Sequence, residues 1–123
     1  MILLLTALAG GLGGVARFTV DSWVARRNRI SVPMGTVVVN VTACFLLGTV
    51  TGWAAGTAGS AGIKEVLGVG LLGGYSTFST ASVEGMRLVA AGRPAGAAVH
   101  AGGMLGVSLL ASTLGLMVGR ALA

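Results

Sequence analysis

Gly73-Gly74-Tyr75-Ser76-Thr77-Phe78-Ser79-Thr80 decides how this chain is read: a glycine-led polar stretch set between apolar flanks that run together from about Gly62 to Val89. A helix needs about 20 apolar residues to cross the hydrocarbon of a bilayer, and the flanks reach that length only when joined. The stretch is therefore read as a break near the middle of a membrane-spanning helix. Lipid offers the backbone no hydrogen bonds, so irregular chain at membrane depth is tolerated only where it is buried in protein or lines a polar path. The break predicts such a path.

Working outward, apolar runs extend from Ile2 to about Val24, from about Met34 to Gly56, and from about Pro94 to Leu122. The connectors between runs carry basic, glycine and proline residues: Arg26, Arg27, Arg29 and Pro33, then Gly56, Gly59 and Gly62, then Gly92, Arg93 and Pro94. With 54% hydrophobic residues, 9% charged residues and a mean hydropathy of +0.94, the chain reads as an all-α integral membrane protein. One four-helix transmembrane domain, 1–123, accounts for its whole length.

Several other readings fall away. The N-terminal run has no basic segment before it, and its first cationic side chain is Arg17, so it reads as a spanning helix and not a signal peptide. Cys44 is the sole cysteine, which excludes an intrachain disulfide. Gly68-Val69-Gly70-Leu71-Leu72-Gly73 spells a dinucleotide motif but has no preceding strand, and Asn40-Val41-Thr42 spells a glycosylation sequon in mid-span. The net charge of +5 sits at the membrane edges, which argues against nucleic acid as a partner. Asp21, Glu65, Glu84 and His100 complete the acidic and imidazole inventory, too few and too scattered for a catalytic or metal cluster.

What remains is a set of uncharged polar groups at membrane depth. Thr36, Asn40 and Thr42 lie on the second helix, Ser76 to Ser82 on the third, and Ser108, Ser112 and Thr113 on the fourth. Such groups face a bundle interior or a wet path, or they bond backbone carbonyls and hold helices together. Ser108 and Ser112 are four apart and share a helix face. The break itself frees carbonyl oxygens that suit a hard cation such as sodium. Among the 22 glycines, Gly10, Gly14, Gly102, Gly103 and Gly106 have the spacing of helix contacts.

Gly35-Thr36 with Asn40 on the second helix, followed by the quoted stretch on the third, resembles the fluoride channels called Fluc or CrcB. Gly10-Gly11-Leu12-Gly13-Gly14 with Arg17, and Glu84 after the break, belong to the same likeness. The resemblance covers all four helices. It implies an antiparallel dimer with two fluoride pores at the subunit interface, and a structural sodium held by the backbone carbonyls of Gly73 and Ser76 from both subunits. It also implies a pore formed by Asn40, Thr77, Phe78, Ser108, Ser112 and Arg17, in the cell membrane. Asn40 would donate its amide to fluoride, Phe78 its ring edge, and the serines a polar track.

The chain departs from the family pattern at Ala81, where relatives commonly carry a second phenylalanine, and at His100, where they often carry tyrosine. Arg26, Arg27, Arg29, Arg87 and Arg93 fall on one side, against Lys64 and Arg120 on the other, a bias that favours both termini outside. These features leave two assemblies open: a homodimer, or a heterodimer with an oppositely inserted paralogue. Two other functions also stay open. A small proton-coupled multidrug-type transporter would rely on Glu84 as its one carboxylate within a span after the break, and a structural membrane subunit would transport nothing.

Overall fold

The computed structural model describes all residues, Met1 to Ala123. Its helices long and apolar enough to cross a membrane number four: Ile2–Arg27, Met34–Gly56, Ala61–Ala90 and Pro94–Leu122. The first runs beyond the expected Val24 because Arg26 and Arg27 complement the carbonyl end of the helix. The Arg27 guanidinium also stacks 4.1 Å from the centre of the Trp23 ring, an arrangement suited to the headgroup level. Pro94 occupies the first turn of the fourth helix, where its missing N–H leaves no bond unmade.

The third span is a composite. A short α-turn, Ala61–Lys64, leads into wider π-type turns over Glu65–Leu72, then a last α-turn, Gly73–Tyr75, before the helix resumes at Ser79–Ala90. Ser76 is extended, with φ −71° and ψ 158°, so the chain leaves the helix at Ser76 and returns after Phe78. The sequence places the irregularity from Gly73 onward, but Gly73 is still helical at φ −63° and ψ −39°. The π-type turns carry no sequence signal that we read.

Glycines explain how closely the helices approach. A Cβ on Gly48 would overlap the Ser112 carbonyl, one on Gly52 the Leu116 carbonyl, one on Gly115 the Phe45 carbonyl, and one on Gly119 the Thr49 carbonyl. Two G-xxx-G pairs on the second and fourth helices thus interlock backbone to backbone, the arrangement that drives helix association where lipid removes the hydrophobic effect. The first helix and the third span meet in the same way, with Gly13 against Leu71 and Gly74 against the Gly10 carbonyl. Gly10 is in a crossing, but Gly14, Gly102, Gly103 and Gly106 have no other atom within 4 Å of their Cβ position in one chain.

At one end of the bundle the Arg93 guanidinium donates to the Ser31 carbonyl at 3.0 Å and to its hydroxyl at 2.9 Å. The first and third connectors therefore share a membrane side, as the charge count assumes. Gly92, at φ 73°, turns the chain between the third and fourth spans where a side chain would be strained. The best-buried side chains are Val39 and Thr36, where the second helix crosses behind the break.

Candidate functional site

Asn40 and Thr77 form the centre of the site. The Asn40 amide donates to the Thr77 carbonyl at 2.8 Å, and its carbonyl oxygen accepts from the Thr77 N–H at 2.9 Å. An asparagine side chain carries one donor face and one acceptor face, the same pair that a peptide unit offers, so it replaces the helical partners that Thr77 has lost. The Thr77 hydroxyl also accepts from the Thr80 N–H at 3.2 Å and bonds the Thr80 hydroxyl at 3.1 Å, which caps the returning helix. The remaining hydrogen of the Asn40 amide faces only the Met104 sulfur at 3.5 Å, a weak acceptor. A stronger acceptor in the adjacent cleft would take that hydrogen.

Arg17 reaches the break from the other side. Gly10, Gly13 and Arg17 lie on one face of the first helix, so the glycine crossing carries Arg17 one turn onward to Ser76. Its Nη1 donates to the Ser76 carbonyl at 3.3 Å. Hydrogen bonds to charged groups contribute about 1.5–3 kcal/mol, and at this length the lower figure applies. Arg17→Met should therefore lower stability by about 1.5 kcal/mol in a denaturation series in detergent.

Around these residues open two hollows. A cleft of about 520 Å³ is lined by Asn40, Ser76, Thr77, Phe78, His100 and Ser108, among others. A smaller, more polar hollow of about 190 Å³ lies across Thr77 and is lined by Arg17, Asp21, Thr36 and Thr80. Asn40, Thr77, Phe78 and Ser108 thus line one cleft, while Arg17 lines the neighbouring hollow. Phe78 is 87% exposed, so its ring holds nothing together within one chain.

Ser112 lines neither hollow. Its hydroxyl donates to the Leu109 carbonyl at 3.1 Å, and Thr113 bonds the same carbonyl at 2.9 Å. Thr42 likewise bonds Val38 of its own helix at 2.7 Å and meets the Tyr75 hydroxyl at 2.9 Å. Back-bonding within the helix is the ordinary use of such residues. Ser108 differs: its hydroxyl is buried and has no partner. So does Thr36, whose side-chain oxygen is also unpartnered, at 1% exposure. Sequence reasoning named Thr36 as polar at depth but gave it no role.

The expected sodium ligands fit in kind. Gly73 and Ser76 contribute neutral carbonyl oxygens, the donor type that a hard cation takes, and Gly73 lies exposed on the surface of the single chain. The Ser76 oxygen accepts from Arg17 yet keeps a second lone pair. Two carbonyl oxygens from one chain are too few to surround a cation.

A family profile described as "CrcB-like protein, Camphor Resistance (CrcB)" matches residues 4–119. The chain is 48% identical over 121 residues to "Fluoride-specific ion channel FluC 2" of Cutibacterium acnes, covering 97% of this chain and 98% of that one. It is 42% identical over 119 residues to "Fluoride-specific ion channel FluC 1" of Leifsonia xyli subsp. xyli, covering 97% and 87%. A third relative, "Fluoride-specific ion channel FluC" of Acidobacterium capsulatum, is 37% identical over 115 residues, covering 93% and 92%.

Proposed function

The chain belongs to the CrcB family and is a multi-pass protein of the cell membrane, and from that premise we propose that it is a fluoride-specific ion channel. Fluoride leaves the cell through it passively, down the electrochemical gradient. The observation that carries the reading is the cleft beside the third-span break, where Asn40, Thr77, Phe78 and Ser108 meet without a fixed charge. Fluoride is small and strongly hydrated, so a pore must replace water's hydrogen bonds, yet donors that bind too tightly would stop conduction. The second Asn40 hydrogen, the Ser108 hydroxyl and the positive edge of the Phe78 ring are donors of that moderate kind. Ser112 extends the polar side of the fourth helix beyond the cleft.

Arg17 supplies positive potential near the break and so favours anions over cations. An interior-negative potential is worth about 2.3 kcal/mol per charge per 100 mV, enough to drive fluoride outward with no fuel. The channel is an antiparallel dimer, embedded in lipid, with pores at the interface of the two subunits. Support comes from the exposed Phe78 ring, and from Gly102, Gly103 and Gly106, a small-residue face on the fourth helix that nothing in the same chain covers. A structural sodium between the Gly73 and Ser76 carbonyls of both copies adds fixed positive charge at the centre. The second copy is this chain inserted the opposite way, or a paralogue so inserted.

The test is to reconstitute the purified chain into liposomes loaded with potassium fluoride, add valinomycin, and follow external fluoride with an electrode. Fast efflux that chloride does not share is expected. Silence from folded, dimeric protein alone, relieved by a co-expressed paralogue, would assign the heterodimer. Silence in both would sink the channel reading. Phe78→Ala should lower efflux at least tenfold, equivalent to about 1.4 kcal/mol, with an unchanged melting temperature, because the ring is exposed and packs on nothing within its chain. Equal losses of flux and stability would instead make Phe78 a packing residue.

A further inference from the structure

Met104 on the fourth helix lines the cleft beside Asn40, and its sulfur lies 3.5 Å from the Asn40 side-chain nitrogen. The orientation of that amide is fixed by the break. The Thr77 N–H takes the Asn40 oxygen at 2.9 Å and the Thr77 carbonyl takes one amide hydrogen at 2.8 Å, which leaves the other hydrogen to Met104. None of the cleft's hydroxyls, on Ser76, Thr77, Ser82 and Ser108, bonds the Asn40 amide. A thioether is a weak acceptor, so the contact occupies the hydrogen without holding it firmly. The unbranched methionine side chain has three rotatable bonds, so its sulfur can leave that position without any movement of the helix.

We propose that Met104 sets the affinity of the cleft for fluoride: its sulfur occupies the free Asn40 hydrogen while the cleft is empty and swings away when the ion takes that hydrogen. The proposal rests on the fluoride-channel reading and adds the residue that opposes entry. Hydrogen bonds to an ion are about twice as strong as those between neutral groups, so exchange of the sulfur for fluoride is favourable. The exchange still weakens binding, because only the fraction of molecules with the sulfur withdrawn accepts the ion. An aliphatic side chain at this position would not compete, and a hydroxyl or carbonyl would compete more strongly. The returning sulfur also eases release, since the departing ion does not leave the amide bare. A weak, movable acceptor thus meets the demand that a pore bind its ion and then let it go.

Met104→Leu removes the acceptor and keeps the apolar bulk, a swap that packed sites tolerate. Parent and variant, as full chains in detergent, are unfolded thermally over a series of sodium fluoride concentrations, with sodium chloride holding sodium and ionic strength constant. A ligand stabilises the form that binds it by mass action, so the fluoride dependence of the melting temperature gives a binding constant without any flux. The variant should bind fluoride about threefold more tightly, which corresponds to the sulfur being seated in about two thirds of empty sites. In liposomes the fluoride concentration for half-maximal efflux should fall by the same factor. Met104→Ala also removes the acceptor but leaves a gap, so it should melt lower and yet show the same tightened binding. Binding in Met104→Leu equal to the parent's, or no fluoride-dependent shift in either protein, overturns the proposal and makes Met104 a packing residue. Parent efflux with equal binding constants would leave the channel and remove the role of Met104; tighter binding by the variant in protein that passes no fluoride would keep that role and remove the channel.

Discussion

Asn40→Ala is expected to abolish fluoride efflux and to destabilise the fold at the same time. The substitution removes the donor that faces the cleft and both bonds that close the break, at 2.8 and 2.9 Å to the Thr77 backbone. Hydrogen bonds between membrane helices average only about 0.6 kcal/mol, because freed groups usually find other partners. Thr77 is buried in non-helical backbone, where its N–H and carbonyl have no helical neighbour to return to. The larger cost of unpaired groups applies there, about 2–6 kcal/mol for the two together. Electrode-measured efflux should fall at least a hundredfold, a barrier of about 2.7 kcal/mol, and the melting temperature should drop. A variant with wild-type efflux would remove Asn40 from both roles. Asn40→Asp separates them: it keeps the acceptor for the Thr77 N–H but puts a carboxyl where the anion passes.

The second large effect is at a residue that touches no ion. Gly115→Val should separate the second and fourth helices, because its Cβ would overlap the Phe45 carbonyl and lie 2.9 Å from the carbonyl carbon. Overpacking against a yielding side chain costs about 1–3 kcal/mol; here the obstacle is backbone, so the upper end or more is expected. Thermal unfolding in detergent, followed by size-exclusion chromatography, should show aggregation at a markedly lower temperature. Gly11→Val, at a position with open space around its Cβ, should behave like the parent. Equal stability of the two valine variants would mean that the second and fourth helices are not held by close backbone approach.

Much of the fold was legible in the residues because membrane physics leaves few choices. Apolar runs of the right length must be helices, and a polar stretch inside one must break it or line a path. Those arguments placed the spans within a few residues and named Asn40, Thr77 and Ser108 among the polar groups at depth; Phe78, which lines the same cleft, was singled out by the family likeness alone. The family likeness added roles that no periodicity could supply. Glycine roles were read less well, since small-xxx-small spacing occurs on every helix here. The pairs Gly48 with Gly52 and Gly115 with Gly119 carried the signal as plainly as Gly102 with Gly106, yet only the former pairs face a neighbour within the chain.

By itself the sequence determined that this is a four-helix membrane protein with an interrupted third span and a set of uncharged polar residues at membrane depth. Hydrophobic length and unmet hydrogen bonds are local properties, and lipid enforces them one segment at a time. Only the tertiary structure decided that Asn40 closes the break through Thr77, that Arg17 arrives at Ser76, that Ser112 bonds its own helix while Ser108 does not, and that Met104 meets the Asn40 amide. Those pairings depend on which helix faces touch, and that is fixed by close packing between residues as distant in the chain as Phe45 and Gly115, or Thr49 and Gly119.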